Sequence, residues 1–369
     1  MPLAVARDAG SGKRSTVRKR YINGQVVKSE ARLGDSLPTR TLWTSSGDCS
    51  IRRTVRSTDV STEAAPREPL ERRRGPFGAG ERVQLTDHKS RHHTITLATG
   101  AKFHTHRGWI EHDDIIGSPE GTVVESTAAL RYLVLRPQLR DIVLSMPRGA
   151  TVVYPKDAAA IVAMLDLSPG DQVLEAGAGS GALSMSLLRA VGDRGAVVSF
   201  ERRDDFAAIA SRNVQAFLGD ISNWTLVVGD LNAEYSSRAL PTAQFDACVF
   251  DMLAPWECLE TARHALRPGG TLVVYIATTT QMSRVVEDLR TAGCWREPEA
   301  SELIVRGWHL EGLAVRPNHR MNGHTGFLVS TRRLADGVTP VRKQTRPAKG
   351  AYPAQDADDP AGDRTTAHG

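Results

Sequence analysis

Val173-Leu-Glu-Ala-Gly-Ala-Gly-Ser-Gly-Ala-Leu-Ser184 is the stretch on which the reading of this chain turns. An apolar run ends in an acid, Glu175, then passes through three alternating glycines into a helix-forming segment. Two glycine fingerprints compete for it. A dinucleotide loop wants G-x-G-x-x-G or a terminal Ala, so that a pyrophosphate rests on a helix N-terminus. Gly177, Gly179 and Ala182 satisfy that spacing. Glu175 argues the other way, because a fixed carboxylate at the strand tip repels a pyrophosphate and attracts an ammonium or a sulfonium. The pattern E-x-G-x-G-x-G therefore favours S-adenosylmethionine over a nicotinamide dinucleotide.

The segments that follow repeat the theme. Ala182 to Val191 reads as a helix, and Ala196-Val-Val-Ser-Phe200 as a buried parallel strand ending in Glu201, an acid placed for ribose hydroxyls. Asp204 to about Leu218 reads as a second helix, Thr225 to Gly229 as a strand ending in Asp230, suited to an adenine amino group, and Phe245 to Phe250 as a strand ending in Asp251. Three successive strands thus each carry an acid at the C-terminal edge, where open α/β sheets bind ligands. The expected fold class is α/β, a Rossmann-like, mostly parallel sheet. Trp256 to Leu266 and Thr278 to Ala292 are expected as helices around a strand at Thr271 to Ile276. Leu310 to Val315 and Gly326 to Thr331 are expected as an antiparallel closing pair.

Charge divides the chain. Residues 1–74 hold 16 Lys or Arg against 8 Asp or Glu, and the remaining residues 31 against 34. Residues 1–74 are expected to be a disordered basic extension and 337–369 a disordered tail. Four scattered cysteines, no membrane-length apolar run and no apolar signal core fit a soluble protein of the reducing cytoplasm. Residues 75–136 have another texture. Arg82 to Leu85, His93 to Leu97, Thr122 to Val124 and Ala129 to Leu135 are short β-prone runs between turns, a small β domain, with a linking helix from Gln138 to Met146. Its histidines, His92, His93, His104, His106 and His112, lack metal-ligand spacing, and no metal is expected.

Gly75-Pro-Phe77, Phe103-His-Thr-His-Arg-Gly108, Tyr154-Pro-Lys-Asp157, Leu174 to Leu183, Asp251-Met-Leu-Ala-Pro-Trp256 and Gly323-His-Thr-Gly-Phe327, in this order, resemble the tRNA (adenine-58-N1) methyltransferase family, the TrmI group. Leu253 to Trp256 and Val315-Arg-Pro317 are closest to its actinobacterial members. The resemblance covers about Gly75 to Leu334, and implies a class I S-adenosylmethionine-dependent methyltransferase of seven strands at 137–336, assembled as a homotetramer. It further implies that Val153, Glu175, Gly177, Gly179, Ser180, Gly181, Ala182, Leu183, Glu201, Phe206, Asp230 and Asp251 surround the cofactor. Asp251 and Tyr154 are the implied catalytic residues, Asp251 beside the exocyclic amine of the target adenine and Tyr154 against its face. Tyr154, Lys156, His324 and Thr325 are the implied tRNA contacts; Asp157 is expected either to contact substrate or, as a good cap, to start the helix that follows it. A local basic rim, drawn from Arg107, Arg148, Lys156, Arg306 and Arg320, is expected to hold RNA phosphates. Two other classes stay open: transfer to another RNA, protein or small-molecule acceptor, and a catalytically silent RNA-binding subunit. The second is disfavoured because Glu175, the three glycines, Glu201, Asp230 and Asp251 are all present.

Overall fold

The computed structural model describes residues 18–22, 25–29, 74–149, 151–237 and 242–341. Most of the basic extension, and the tail beyond 341, lie outside the described residues. Two short strands do fall in the extension, β1 (Arg18–Ile22) and β2 (Gln25–Ser29), paired antiparallel. These ten positions are regular structure within an extension expected to be mostly disordered. The cue was the Asn23-Gly24 dipeptide between two β-prone runs, a strong hairpin signal.

Strands β3 (Arg82–Thr86), β4 (His92–Thr96), β7 (Val123–Glu125) and β8 (Arg131–Leu135) form an antiparallel sheet ordered β4-β3-β8-β7. A separate hairpin, β5 (Lys102–His104) and β6 (Trp109–Glu111), is too short to show a period in sequence. Phe77, Leu85, Ile110, Tyr132 and Val134 pack into one core here. Arg136, at the exit of β8, reaches Glu81 at 2.8 Å and Glu120 at 3.0 Å and lies over the Phe77 ring, tying the exit back to this sheet.

Helices α1 (Leu139–Ser145) and α2 (Pro155–Met164) lead into the large sheet. Its remaining elements are β9 (Gln172–Ala176), α3 (Ala182–Val191), β10 (Ala196–Glu201), α4 (Asp204–Leu218), β11 (Trp224–Val228), α5 (Leu231–Ser237), β12 (Phe245–Asp251), α6 (Leu259–Ala265), β13 (Leu266–Ile276), α7 (Thr279–Ala292), β14 (Glu299–Glu302) and β17 (Phe327–Arg332). A separate two-stranded arm, β15 (Trp308–Glu311) and β16 (Ala314–Pro317), stands between the last two. The sheet order is β14-β17-β13-β12-β9-β10-β11-β1-β2. β13 to β11 in that list are parallel, and β17 and β14 close one end antiparallel.

Period-2 alternation sorts the strand residues between two cores. Val173, Val197, Val249 and Val273 pack with α1 to α4, while Leu174, Phe200, Phe250 and Val274 pack on the opposite face with α5, α6 and α7. Each such side chain contributes about 1.5–3 kcal/mol on burial. The expected closing pair is half corrected. Leu310 to Val315 is not a sheet strand, because Gly312, at φ 53°, turns it into the β15–β16 arm. The outer strand is instead Glu299-Ala-Ser-Glu302, a polar edge with no apolar alternation to read. Among the described residues no helix is long and apolar enough to cross a membrane.

Candidate active site

The C-terminal tips of β9, β10, β11 and β12 meet around the glycine loop. Gly177 N and Ala178 N donate to Phe200 O at 2.9 and 3.1 Å, and Gly179 N donates to Glu201 Oε2 at 2.8 Å, so the loop is fastened to the tip of β10. Gly181, in the left-handed region, starts α3. Gly177, Glu201, Asp230 and Asp251 line one cavity of about 780 Å³, together with Arg202 and Cys258.

The acids differ in their partners. Glu175 is fully buried, its Oε2 accepting from Ser184 Oγ at 2.6 Å and Ser199 Oγ at 2.5 Å, while its Oε1 has no hydrogen-bond partner among the described residues. Burial pushes its carboxyl up to about 7, with Glu201 adding to the rise. Burial likewise lifts Asp251 to about 7, and the charges of Glu175 and Glu201 lift it further. Glu201 accepts from Arg203 N at 3.1 Å as well as from Gly179. Asp230 accepts from Asn232 N at 3.0 Å, capping α5, and its other oxygen lies 3.3 Å from Arg202. Glu175, Glu201 and Asp251 therefore repel one another, and among the described residues no cation pairs with Glu175 or Asp251. A ligand carrying positive charge in the cavity, against Glu201 and Asp251, relieves that repulsion, while Glu175 is buried and not part of the cavity lining. These residues fit S-adenosylmethionine, and the glycine loop, Glu201, Asp230 and Asp251 are the ones that would hold it.

A pH dependence follows. A bound cation favours the carboxylate, so binding lowers a carboxyl near 7 and releases a proton. Affinity for S-adenosylmethionine is expected to fall about tenfold from pH 7.5 to pH 6, as the ionised fraction of such an acid falls. Calorimetry in buffers of different ionisation enthalpy reads both the affinity and the released proton. A flat profile would contradict the buried, raised carboxylates.

The other expected site residues have local partners of their own. Val153, Ala182 and Leu183 are core residues packed among α2, α3 and β9, and none lines the cavity. Phe206 packs under the Arg203 guanidinium, 3.2 Å from its ring centre, and against Gly149. Ser180 is buried, and its carbonyl accepts from Asn213. Tyr154 is the N-cap of α2, followed by Pro155 at the first helical position, so Asp157 is not the cap. Lys156 and Thr325, expected to touch RNA, are turned inward, Lys156 Nζ bonding Asp157, Leu303 O and Thr325 Oγ1. His324 is half exposed, but its Nδ1 lies 2.6 Å from Glu302 and its Nε2 2.9 Å from Ala277 O. Two acceptors suit the imidazolium, and Glu302 raises its pKa. Sequence reading missed Ser184, Ser199, Arg202 and Tyr275. Ser199 was findable as a lone hydroxyl in an apolar strand, in register with Glu175. Among the described residues no group of three or more His, Cys, Asp or Glu is placed to hold a metal, and His112 accepts from Ala98 N at 3.1 Å.

Uncompensated acids over a glycine loop, at the carboxyl edge of a five-stranded parallel run with an antiparallel end, define a class I S-adenosylmethionine-dependent methyltransferase. Known proteins carry the assignment further. Residues 75–124 match the family described as TrmI-like N-terminal, and residues 131–312 match the tRNA methyltransferase complex GCD14 subunit. The tRNA (adenine(58)-N(1))-methyltransferase TrmI of Thermus thermophilus is 38% identical over 249 residues, 68% of this chain and 95% of that one. The tRNA (adenine(57)-N(1)/adenine(58)-N(1))-methyltransferase TrmI of Methanocaldococcus jannaschii is 31% identical, over 63% of this chain and 88% of that one. The crystal structure of tRNA (m1A58) methyltransferase TrmI from Aquifex aeolicus superposes with a TM-score of 0.61 at 28% identity, covering 70% of this chain and 99% of that one. A Thermotoga maritima structure described as an S-adenosylmethionine-dependent O-methyltransferase gives 0.65 at 29% identity, covering 73% and 96%. The chain belongs to the TrmI family.

Proposed function

We infer that this protein transfers the methyl group of S-adenosylmethionine to N1 of adenine 58 in the T-loop of tRNA. Asp251 carries the reading: an acid of raised pKa at the cavity wall, in contact through its backbone with the glycine loop, inside a chain of the TrmI family. The cofactor, when bound, supplies an electrophilic methyl carbon. Adenine N1 already has a free lone pair at neutral pH, so the protein's task is alignment and charge rather than proton removal. Asp251 accepts from the exocyclic amine, fixing the ring and stabilising the positive charge that grows on it as N1 is alkylated. Tyr154 supplies an aromatic face at the start of α2. Leu253, 84% exposed beside Asp251, offers an apolar rim to an unstacked base. Because N1 lies on the pairing edge, the T-arm must open for adenine 58 to enter. The test is methylation of an unmodified tRNA transcript with labelled cofactor, followed by mapping of the product. Label that resists RNase, or falls on another nucleotide, refutes the assignment.

Residues 75–136 and 137–336 are proposed as two domains, and a tRNA-modifying role as cytoplasmic. Self-association is proposed through the β15–β16 arm, where Ile304, Trp308, Leu310, Leu313 and Val315 are all more than half exposed. An apolar surface of that kind on a soluble protein calls for a partner, and a homotetramer is the assembly proposed. Sedimentation of the Leu310→Asp/Leu313→Asp protein is expected to show smaller species than the wild type. An unchanged sedimentation coefficient would remove the arm from the interface.

A further inference from the structure

Tyr154-Pro-Lys-Asp157 and Gly323-His-Thr-Gly-Phe327 lie far apart in the chain and meet in the fold. Lys156 Nζ donates to Asp157 Oδ1 at 2.6 Å, Leu303 O at 2.7 Å and Thr325 Oγ1 at 2.6 Å. An ammonium has three donors, so none is left for a phosphate. Asp157 is fully buried, and its second oxygen accepts from Thr325 Oγ1 at 2.7 Å. The Thr325 carbonyl accepts from Tyr275 OH at 2.7 Å. Gly326 leaves room for that ring, since a Cβ there would come within 2.4 Å of it. Tyr275 in turn stands opposite Asp251 in the parallel β12–β13 ladder.

The contacts thus run without a break from the first turn of α2, where Tyr154 is the cap, through the start of β17, to the strand position beside Asp251. Every polar atom named along that path has its partner, and Lys156 is only 17% exposed at the side chain. A surface arm for RNA would be mobile and hydrated. This is a buried ion pair with each hydrogen bond made, an arrangement that holds backbone segments in one relative position.

We propose that Lys156, Asp157, Thr325 and Tyr275 form a positioning network that fixes Tyr154 relative to Asp251, and that Lys156 does not contact tRNA. The proposal rests on the reading of Asp251 and Tyr154 as the groups that meet the target adenine. A displacement of about 1 Å between groups that must align is enough to cost about a hundredfold in rate.

The test uses the full-length protein and a tRNA transcript, with Lys156→Met, Asp157→Asn, the double variant and Tyr275→Phe. Removing one member of a buried pair strands the other charge, whereas removing both does not. Lys156→Met and Asp157→Asn are each expected to lower kcat by roughly ten- to a hundredfold, with tRNA affinity within about twofold of wild type. The double variant is expected to recover most of that loss. Tyr275→Phe deletes one hydroxyl, and is expected to lower kcat about fivefold without weakening tRNA binding. The salt dependence of tRNA affinity separates the two views of Lys156. A phosphate contact would reduce the log–log slope by about one in Lys156→Met, whereas a positioning role leaves it unchanged. A reduced slope, or wild-type kcat in both Tyr275→Phe and Lys156→Met, would overturn the network. Failure of the wild-type protein to modify adenine 58 would instead overturn the functional reading, so the two failures are told apart by the control.

Discussion

Asp251→Asn is expected to lower single-turnover methylation of adenine 58 by about a hundred- to a thousandfold, the range seen when one electrostatic stabiliser of a transition state is removed. The substitution keeps the shape of the side chain and deletes its charge. It therefore isolates the role of the carboxylate in holding the amine and offsetting the charge that develops on the ring. The same substitution should stabilise the ligand-free protein, by an amount that grows with pH. The Asp251 carboxyl is raised from an ordinary 3.8 to about 7. The fold holds this acid most easily in its protonated form, so stability is full below the ordinary value of 3.8 and falls as pH rises from there through about 7. At pH 8 the wild type carries a buried, repelled charge that Asn lacks, and melting is expected about 5 °C higher in the variant. By about pH 4, near the ordinary carboxylate value, the two melting curves should nearly coincide, and the gap should open steadily from there to about pH 7. A slower enzyme whose gain in stability grows from about pH 4 to pH 7 and then levels off is the signature of an acid held for chemistry at a cost to the fold. Wild-type turnover would remove Asp251 from the mechanism, and a stability gain independent of pH would remove burial as the cause of its shift.

What the sequence made legible tracks the range of the interaction. α3 and α4 are readable to the residue because their ends are local events: Gly181 and Gly192 bracket one, and Gly219 stops the other. The acids at the strand tips are readable because a strand with an acid at its end is a one-dimensional pattern. α5 escaped notice because it is short, and its one signal, Asp230 ahead of it, was read as a ligand contact when it is also the cap. β14 escaped because an edge strand needs no apolar alternation. The inward turn of Lys156 could not be read at all. Its partners Leu303 and Thr325 lie 147 and 169 residues away, and a lysine beside an aspartate in sequence looks the same whether its ammonium meets a phosphate or a buried threonine. The motif was visible; the direction of its side chains was a property of the tertiary structure.

Two glycines of the loop serve different masters, and alanine substitution should separate them. A Cβ on Gly177, whose φ is +90°, would fall 1.8 Å from the Asp251 carbonyl oxygen and 2.7 Å from its carbon. That obstacle is backbone in the middle of the sheet, so β12 or the loop must move. Left-handed strain of about 1–2 kcal/mol and overpacking of about 1–3 kcal/mol together give a loss of roughly 2–5 kcal/mol. A fall in melting temperature on the order of 10 °C is expected for Gly177→Ala even without ligand. Cofactor binding should be lost with it, because the shift moves Asp251 and the loop together. Gly179 differs. A Cβ there meets nothing nearer than 3.9 Å, and its φ of +54° lies in the left-handed region that alanine adopts at modest strain. The protein leaves that space open. Gly179→Ala should therefore melt within a few degrees of wild type and still bind S-adenosylmethionine at least tenfold more weakly, because the added methyl contacts the ligand. Thermal melts with and without cofactor test both at once. Equal destabilisation of the two ligand-free variants would refute the division, since it would mean that Gly179, like Gly177, is there for the sheet.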